Sequence, residues 1–393
     1  MRICLASPAC ISITAMTVLP VQDSPVAEAH PSGDSAAKLS ALRDSIKTWA
    51  KELGFQQAGI SDISLHRYRE HLERWLAEGC HGDMEWMRRH AKLRLSPGDL
   101  LPGTVRVICC RMNYLPEPQQ QAEPAPHRAA IARYARGRDY HKLVRRRLAR
   151  LARRIAEAAG PHRHRAFADS APVLERALAT KAGLGWIGKN TMLIHRDAGS
   201  WFFLGEIYTD IPLPADEVPA DNSCGTCRAC LDACPTGAFA GPYRLDARKC
   251  ISYLTIEHKG TIPVELRAKI GNRIFGCDEC QRVCPWNRRA PESKERAFQG
   301  ADGEALSQLF AWSEEEYLRR TEGSPLRRTG YERWLRNLAV ALGNAPPGSE
   351  AVAALQARRH HPSPLVQEHV RWALAEQRRK AGGTQENAAA PPL

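Results

Sequence analysis

No stretch of this 393-residue chain approaches the twenty or so consecutive apolar residues that a membrane-spanning helix needs. No twin-arginine pair precedes the fairly apolar start, Met1 to Val21, and Pro8 and Pro20 interrupt it. A secretory signal is therefore not expected there, and an extended start, with Met16 as a second initiator, is the simpler account. A Gly-x-Gly-x-x-Gly fingerprint after a strand is missing too, which removes the Rossmann route to a nicotinamide or flavin. Acidic residues are the minority: 43 Asp and Glu against 56 Lys and Arg leave a net charge of +13. Such an excess favours a polyanionic partner, nucleic acid first, held by contacts that weaken with salt.

Cysteine, by contrast, is plentiful. Eight of the thirteen lie between Cys224 and Cys284. Cys224-Gly-Thr-Cys227-Arg-Ala-Cys230-Leu-Asp-Ala-Cys234-Pro235 matches the bacterial ferredoxin run Cys-x2-Cys-x2-Cys-x3-Cys-Pro at every position. Cys277-Asp-Glu-Cys280-Gln-Arg-Val-Cys284-Pro285 repeats its back half, and Cys250 completes two sets of four. A disulfide framework spreads its cysteines through loops, and a zinc site closes a tetrahedron on four ligands. Tight loops ending in Cys-Pro suit two 4Fe–4S clusters better. In two-cluster proteins the fourth Cys of a run ligates the other cluster. Cys224, Cys227, Cys230 and Cys284 are thus expected on cluster 1, and Cys234, Cys250, Cys277 and Cys280 on cluster 2. Free thiolates ready for iron imply a reducing compartment, the cytoplasm. Of the rest, Cys109 and Cys110 read as core residues at a strand end, Cys80 follows Gly79, and Cys4 and Cys10 lie in the leader.

Residues 1–36 carry Pro, Ser, Ala and Gly without period and read as a disordered leader. Leu39, Leu42, Ile46, Trp49 and Leu53 then mark one helix face, with Gly54 at C′, and Tyr68, Leu72, Trp75 and Leu76 mark a second helix. Short apolar runs predict strands at Val105–Cys109, Arg165–Ala168, Thr191–Ile194 and Trp201–Tyr208. A Pro- and Gln-rich loop covers Leu115 to Pro126. From Arg133 to Arg154 a basic helix keeps Leu143, Leu148, Leu151 and Ile155 on its apolar side. Alternating strands and helices point to an α/β core. Near the end, Ser324-Pro-Leu with the helix from Trp334, and Ser363-Pro-Leu with Val370-Arg-Trp, resemble each other at a helical-repeat spacing. The expected division is leader 1–36, α/β domain 37–215, ferredoxin-like domain 216–295, helical repeats 296–380 and a disordered tail 381–393.

Bare ferredoxins are short, so the 200 or so residues upstream require a purpose. Spacing alone leaves open a carrier that feeds a protein partner and an enzyme that feeds its own cofactor. Five stretches go further: Tyr134-Ala-Arg-Gly-Arg-Asp-Tyr-His141, Phe167-Ala-Asp169-Ser-Ala-Pro-Val-Leu-Glu-Arg176, Gly185-Trp-Ile-Gly-Lys-Asn190-Thr, Cys250-Ile-Ser-Tyr-Leu-Thr-Ile-Glu257 and Gly276 through Asn287. Together they resemble the epoxyqueuosine reductase family, over about residues 39 to 378. The resemblance implies an α+β cobalamin-binding core, two 4Fe–4S clusters and a HEAT-like helical appendage. It also implies an oxidoreductase that reduces epoxyqueuosine to queuosine at the wobble position of tRNA. The family is related to cobalamin-dependent reductive dehalogenases, one rival; a non-enzymatic electron carrier is the other. By its residues alone, Asp169-Ser170 before Ala-Pro172 reads as a helix N-cap; the resemblance makes Asp169 the proton donor. The same matching puts Arg94, Lys189, Asn190, Thr191 and Ser252 with Asp169 around cobalamin. The expected partners are the tRNA anticodon stem-loop, gripped by the basic helix and the repeats, and a reductant of unknown identity. The protein is expected to be monomeric and off the membrane.

Overall fold

A computed structural model describes residues 33–117, 124–216, 223–300 and 303–388. At its centre lies a four-stranded sheet in the order Gln57–Ser61, Arg106–Asn113, Phe202–Thr209 and His164–Phe167. All eight residues of the 106–113 strand are buried, because helices cover both faces of the sheet. Every pairing is antiparallel. The sheet is therefore α+β and not the parallel α/β arrangement that strand–helix alternation suggests. Alternation is the same in both cases; what differs is the end of the sheet to which each connection returns.

The Tyr140–Ala159 helix crosses one face and buries Val144, Leu148, Leu151 and Ile155 at helical spacing. Gly205 lets it approach closely: a Cβ there would lie 2.8 Å from Leu148 Cδ1 and 2.9 Å from Val144 Cγ1. The helix begins at Asp139, whose side chain accepts from the His141 backbone N–H. The Arg133–Arg154 helix of the sequence reading thus starts seven residues later. Arg133 itself is buried in a short 3₁₀ turn, its guanidinium over the Trp201 ring and its N–H donated to Asp278. Burial against the cluster segment takes it out of any basic face.

Two end segments also differ from expectation. Gly33–Glu52 is one helix, so residues 33–36 of the presumed leader are its first turn; residues 1–32 lie outside the described residues. Pro364–Ala388 is one helix as well, which removes residues 381–388 from the presumed disordered tail, while 389–393 are not described. Both helices are anchored by packed interiors, and adding residues to an existing helix needs no new nucleus. The Pro–Gln loop is described at 115–117 and 124–126.

Tyr331–Asn344, Ser349–Ala357 and Pro364–Ala388 form the C-terminal helices. The two Ser-Pro-Leu units play related parts. Ser324 caps a 3₁₀ turn through the Leu326 N–H, and Ser363 Oγ accepts from Val366. Trp334, Leu338, Val366, Val370 and Ala373 share one core cluster with the sheet helices, so this end packs on the main body. Arg336, fully buried in it, donates to the carbonyls of Leu254, His258 and Gly260 beside the cluster segment.

Candidate active site and cluster segment

Asp169 follows the His164–Phe167 strand in a left-handed backbone, φ +58°. It does not cap the next helix, Glu175–Lys181, whose N-cap position is Leu174. The N-cap reading therefore fails: five residues separate Asp169 from the first orphan N–H groups of that helix. Instead its carboxylate turns toward the start of the Tyr140–Ala159 helix. The Tyr140 hydroxyl donates to Oδ2 at 2.6 Å, and His141 Nε2 lies 3.0 Å from the same oxygen. His141 Nδ1 in turn lies 2.5 Å from Asp139 Oδ1. Burial would lower the imidazole, but the hydrogen bonds and charges of Asp139 and Asp169 outweigh it and carry His141 to about 10. Both ring nitrogens then hold protons at neutral pH. Stacking of Tyr140 on Phe203, 4.0 Å between centroids at 6°, fixes the phenol.

Beneath Asp169 the interior is unusually acidic. Glu175 accepts the Asp169 backbone N–H at 2.7 Å, and Glu206 stands in the middle of the 202–209 strand with no exposure at all. Burial, followed by the neighbouring carboxylates, pushes both glutamates up, because each added charge would lose its water and meet like charges. Arg94 is the counterweight, packed over the Trp86 ring and donating to the Val173 carbonyl at 3.1 Å. Burial lowers it to about 10 against the pull of Glu175 and Asp169. Tyr140, Asp169, Glu175, Arg176, Met192 and Phe202 line a cavity of about 40 Å3 at this point.

The turn 188–192 forms the wall between this cavity and the cluster loops. Thr191 is β-branched yet has φ +65°, an outlier held by Arg176, which donates to its carbonyl. Lys189 Nζ donates to the carbonyls of Gly225 and Cys227, and Asn190 Nδ2 to Cys280 at 3.1 Å. Ser252 is buried beside the Cys250 sulfur. The residues matched to cobalamin are thus split. Arg94 and Asp169 share the acidic interior, while Lys189, Asn190 and Ser252 touch the cluster segment. At the first two, Arg94 Nε and Asp169 Oδ1 are buried without a hydrogen-bond partner among the described residues, which suits a polar group of a bound cofactor or substrate. The cavity itself takes only a small fragment.

Two short helices, Ala229–Asp232 and Glu279–Arg282, carry the inner cysteines of the two motifs and pack against each other. Cys224, Cys227, Cys230 and Cys284 line one cavity of about 250 Å3, closed by Ile194 and Trp286. Among the described residues no three His, Cys, Asp or Glu converge on a single-ion point. Four thiols around such a volume suit a polynuclear cluster, not a zinc ion. Cys230 is raised to about 11 by burial and then by Cys284, Cys224 and Cys227. Cys280 is raised by burial and then by Cys277, Cys250, Cys230 and Cys234. Thiols so crowded need a cation to become thiolates. Cys284 thus lies among the cysteines of the first motif, and Cys234 lies near Cys250 and Cys280. Cys80, Cys109 and Cys110 are buried in the core; Cys4 and Cys10 lie outside the described residues.

Tyr140, His141, Glu175, Arg176 and Glu206 received no role from sequence alone. One signal for Glu206 was available: a single acid inside the apolar run Trp201–Tyr208 has to be buried. Among the described residues no helix is long and apolar enough to cross a membrane.

Comparison with known proteins gives concordant findings. Residues 223–287 match the profile of a 4Fe-4S double cluster binding domain, and residues 94–170 match one described as epoxyqueuosine reductase QueG, DUF1730. The epoxyqueuosine reductase of Pseudomonas aeruginosa is 60% identical over 338 residues, 85% of this chain and 94% of the relative. That of Escherichia coli is 52% identical over 344 residues, 86% and 90% of the two chains. A crystal structure of epoxyqueuosine reductase with an epoxyqueuosine-modified tRNA-Tyr stem loop superposes at a TM-score of 0.80 with 28% identity, covering 90% of this chain and 96% of that one. An epoxyqueuosine reductase from Bacillus subtilis superposes at 0.79, also at 28% identity, over 86% and 91% of the chains. In that structure the loop of a catalytic aspartate is swung out of the active site.

Proposed function

The chain belongs to the epoxyqueuosine reductase family, an oxidoreductase family, and from this we infer how its residues convert epoxyqueuosine in tRNA to queuosine. The observation that carries the inference is Asp169: buried, held by Tyr140 and His141 on one oxygen, and without a partner among the described residues on the other, beside a cavity. Opening the epoxide to an alkene breaks two carbon–oxygen bonds, consumes two electrons and two protons, and releases water. Cobalamin, when bound, supplies a cobalt nucleophile that accumulates electrons, and the clusters supply those electrons singly. The chain's part is protonic and positional. The leaving oxygen needs an acid. Asp169 passes it a proton that His141 Nε2 holds 3.0 Å away, and Tyr140 keeps the carboxylate oriented.

Arg94, Asp169, Lys189, Asn190, Thr191 and Ser252 are our proposed cobalamin contacts. Cys224, Cys227, Cys230 and Cys284 would hold cluster 1, and Cys234, Cys250, Cys277 and Cys280 cluster 2. Lys189 and Asn190, bonded to both cluster loops, tie the clusters to the turn beside Asp169. We keep the division at 37–215, 216–295 and 296–380, with the last segment a HEAT-like appendage, and a monomeric cytoplasmic protein.

The tRNA is proposed to lie along the exposed side of the Tyr140–Ala159 helix. Arg147 and Arg154 are engaged by Glu295 and Glu52, so Arg146, Arg150 and Arg153, all exposed, remain for phosphates. Replacing these three by Gln should weaken tRNA binding and reduce the slope of log K against log salt by about two. Binding titrations at several salt concentrations measure this; an unchanged slope would place the tRNA elsewhere. The proposed reaction is tested with anaerobically reconstituted protein, cobalamin, a strong reductant and epoxyqueuosine-containing tRNA. Nucleoside mass spectrometry should show queuosine; epoxyqueuosine recovered unchanged overturns the assignment.

A further inference from the structure

The acidic floor under Asp169 has no part in proton delivery as described, yet it is tied to Asp169 by one short bond. The Ser170 N–H donates to the Ala168 carbonyl at 2.6 Å, two residues back. With Asp169 between them at φ +58°, this is a γ-turn of the rare positive-φ kind, a strained geometry for any residue with a side chain. Strain of this sort persists only where surrounding contacts over-determine it. On the carboxylate side Tyr140 and His141 do so. On the backbone side Glu175 Oε1 accepts the Asp169 N–H at 2.7 Å, with both residues buried. The relationship is reciprocal, because Glu175 opens the helix that follows and its carboxyl is committed to a residue six positions back.

We propose that Glu175 is a positioning residue, a latch whose carboxyl oxygen holds the Asp169 turn in its strained, inward conformation. The inference rests on Asp169 being the proton donor. Letting go of that N–H allows the turn to relax to an ordinary backbone, and the carboxylate then leaves Tyr140 and His141. Glu206 backs the latch from the sheet. Its buried carboxyl faces that of Glu175, and it stands opposite Cys109 and Phe167 in the ladder. The groups facing Glu175 include Asp169, Glu206, Arg94 and His141, with the Tyr208 phenol and the Cys109 thiol on the sheet. With the floor neutral, Glu175 meets the Asp169 N–H without opposing the Asp169 charge. Ionising it places two carboxylates against each other and favours release. The latch should therefore weaken as pH rises, the direction set by the raised Glu175 and Glu206 carboxyls.

Two variants separate the latch from mere packing. Glu175→Gln keeps an accepting oxygen and cannot ionise; Glu175→Met keeps the bulk and has no acceptor. Glu175→Met should lower the single-turnover rate about 10²-fold, the cost of misplacing a reacting group by an ångström or so. Its half-saturating tRNA concentration should stay within a few-fold. Glu175→Gln should recover most of that loss and flatten the alkaline decline of the rate. Equal activity of Glu175→Met and wild type, or equal loss in both variants, overturns the proposal. If Glu175→Met does not fold, hydrogen exchange on the wild-type protein decides. An Asp169 amide protected like a strand residue supports the latch, and one exchanging like a free peptide rejects it. An active Asp169→Asn with an inactive Glu175→Met would instead remove the premise, the donor role, and leave Glu175 structural.

Discussion

Asp169→Asn is expected to cost 10²- to 10⁴-fold in turnover, the usual range for loss of a general acid, while both clusters and the fold survive. Asparagine is isosteric, tolerates the left-handed backbone better than most residues, and leaves a side-chain oxygen for Tyr140. What it cannot do is exchange a proton with His141. Single-turnover conversion of epoxyqueuosine tRNA, with iron content as the control, measures the effect. Activity within threefold of wild type would leave Asp169 as a structural turn residue.

The same substitution has a signature in pH. His141 is raised to about 10 in the fold against an ordinary value of 6.5, because Asp139 and Asp169 outweigh its burial. A raised pKa means that the folded state holds the proton more tightly than the unfolded one. The ion pairs therefore stabilise fully below about 6.5, and that stability is lost as pH climbs from there through about 10. The raised Glu175 and Glu206 act in the same direction, since their ionisation also disfavours the fold. Thermal midpoints should fall across this window in the wild type, and less steeply in Asp169→Asn, which has lost one of the two carboxylates that raise His141.

Cys284→Ser should remove the cluster built by the first motif, although Cys284 belongs to the second. Iron should drop from about eight to about four atoms per chain. Its electron paramagnetic resonance spectrum should match that of Cys227→Ser and differ from that of Cys280→Ser. The reason is placement: Cys284 lines one cavity with Cys224, Cys227 and Cys230, against Ile194 and Trp286. A spectrum matching Cys280→Ser would assign each motif its own cluster. Either loss should abolish turnover, since both clusters lie on the proposed route for electrons.

Much of this was legible in the chain because the chemistry is local in sequence. A cubane takes three ligands from one loop, so Cys224, Cys227 and Cys230 stand out by spacing, and a Cys-Pro closes each run. Helix faces such as Ile46–Leu53 and Leu148–Ile155 were legible for the same reason, as period and burial coincide. Arg133 was misleading because its charge looks like that of its neighbours. Only the fold places it over Trp201. The motif Asp139-Tyr140-His141 was visible, yet nothing local says that a helix start 28 residues upstream meets Asp169.

By itself the sequence determined the cysteine spacing of the double-cluster segment, the excess of positive charge and the presence of Asp169, all set by residue type and short-range spacing. Only the tertiary structure decided that the sheet is antiparallel, that Asp169 is clasped by His141 and Tyr140 and not spent as a cap, and that Glu175 and Glu206 lie beneath it. The physical reason is that a buried charge takes its meaning from partners distant in sequence. Burial removes water, and whichever groups the fold brings within about 3 Å then fix its protonation and its place.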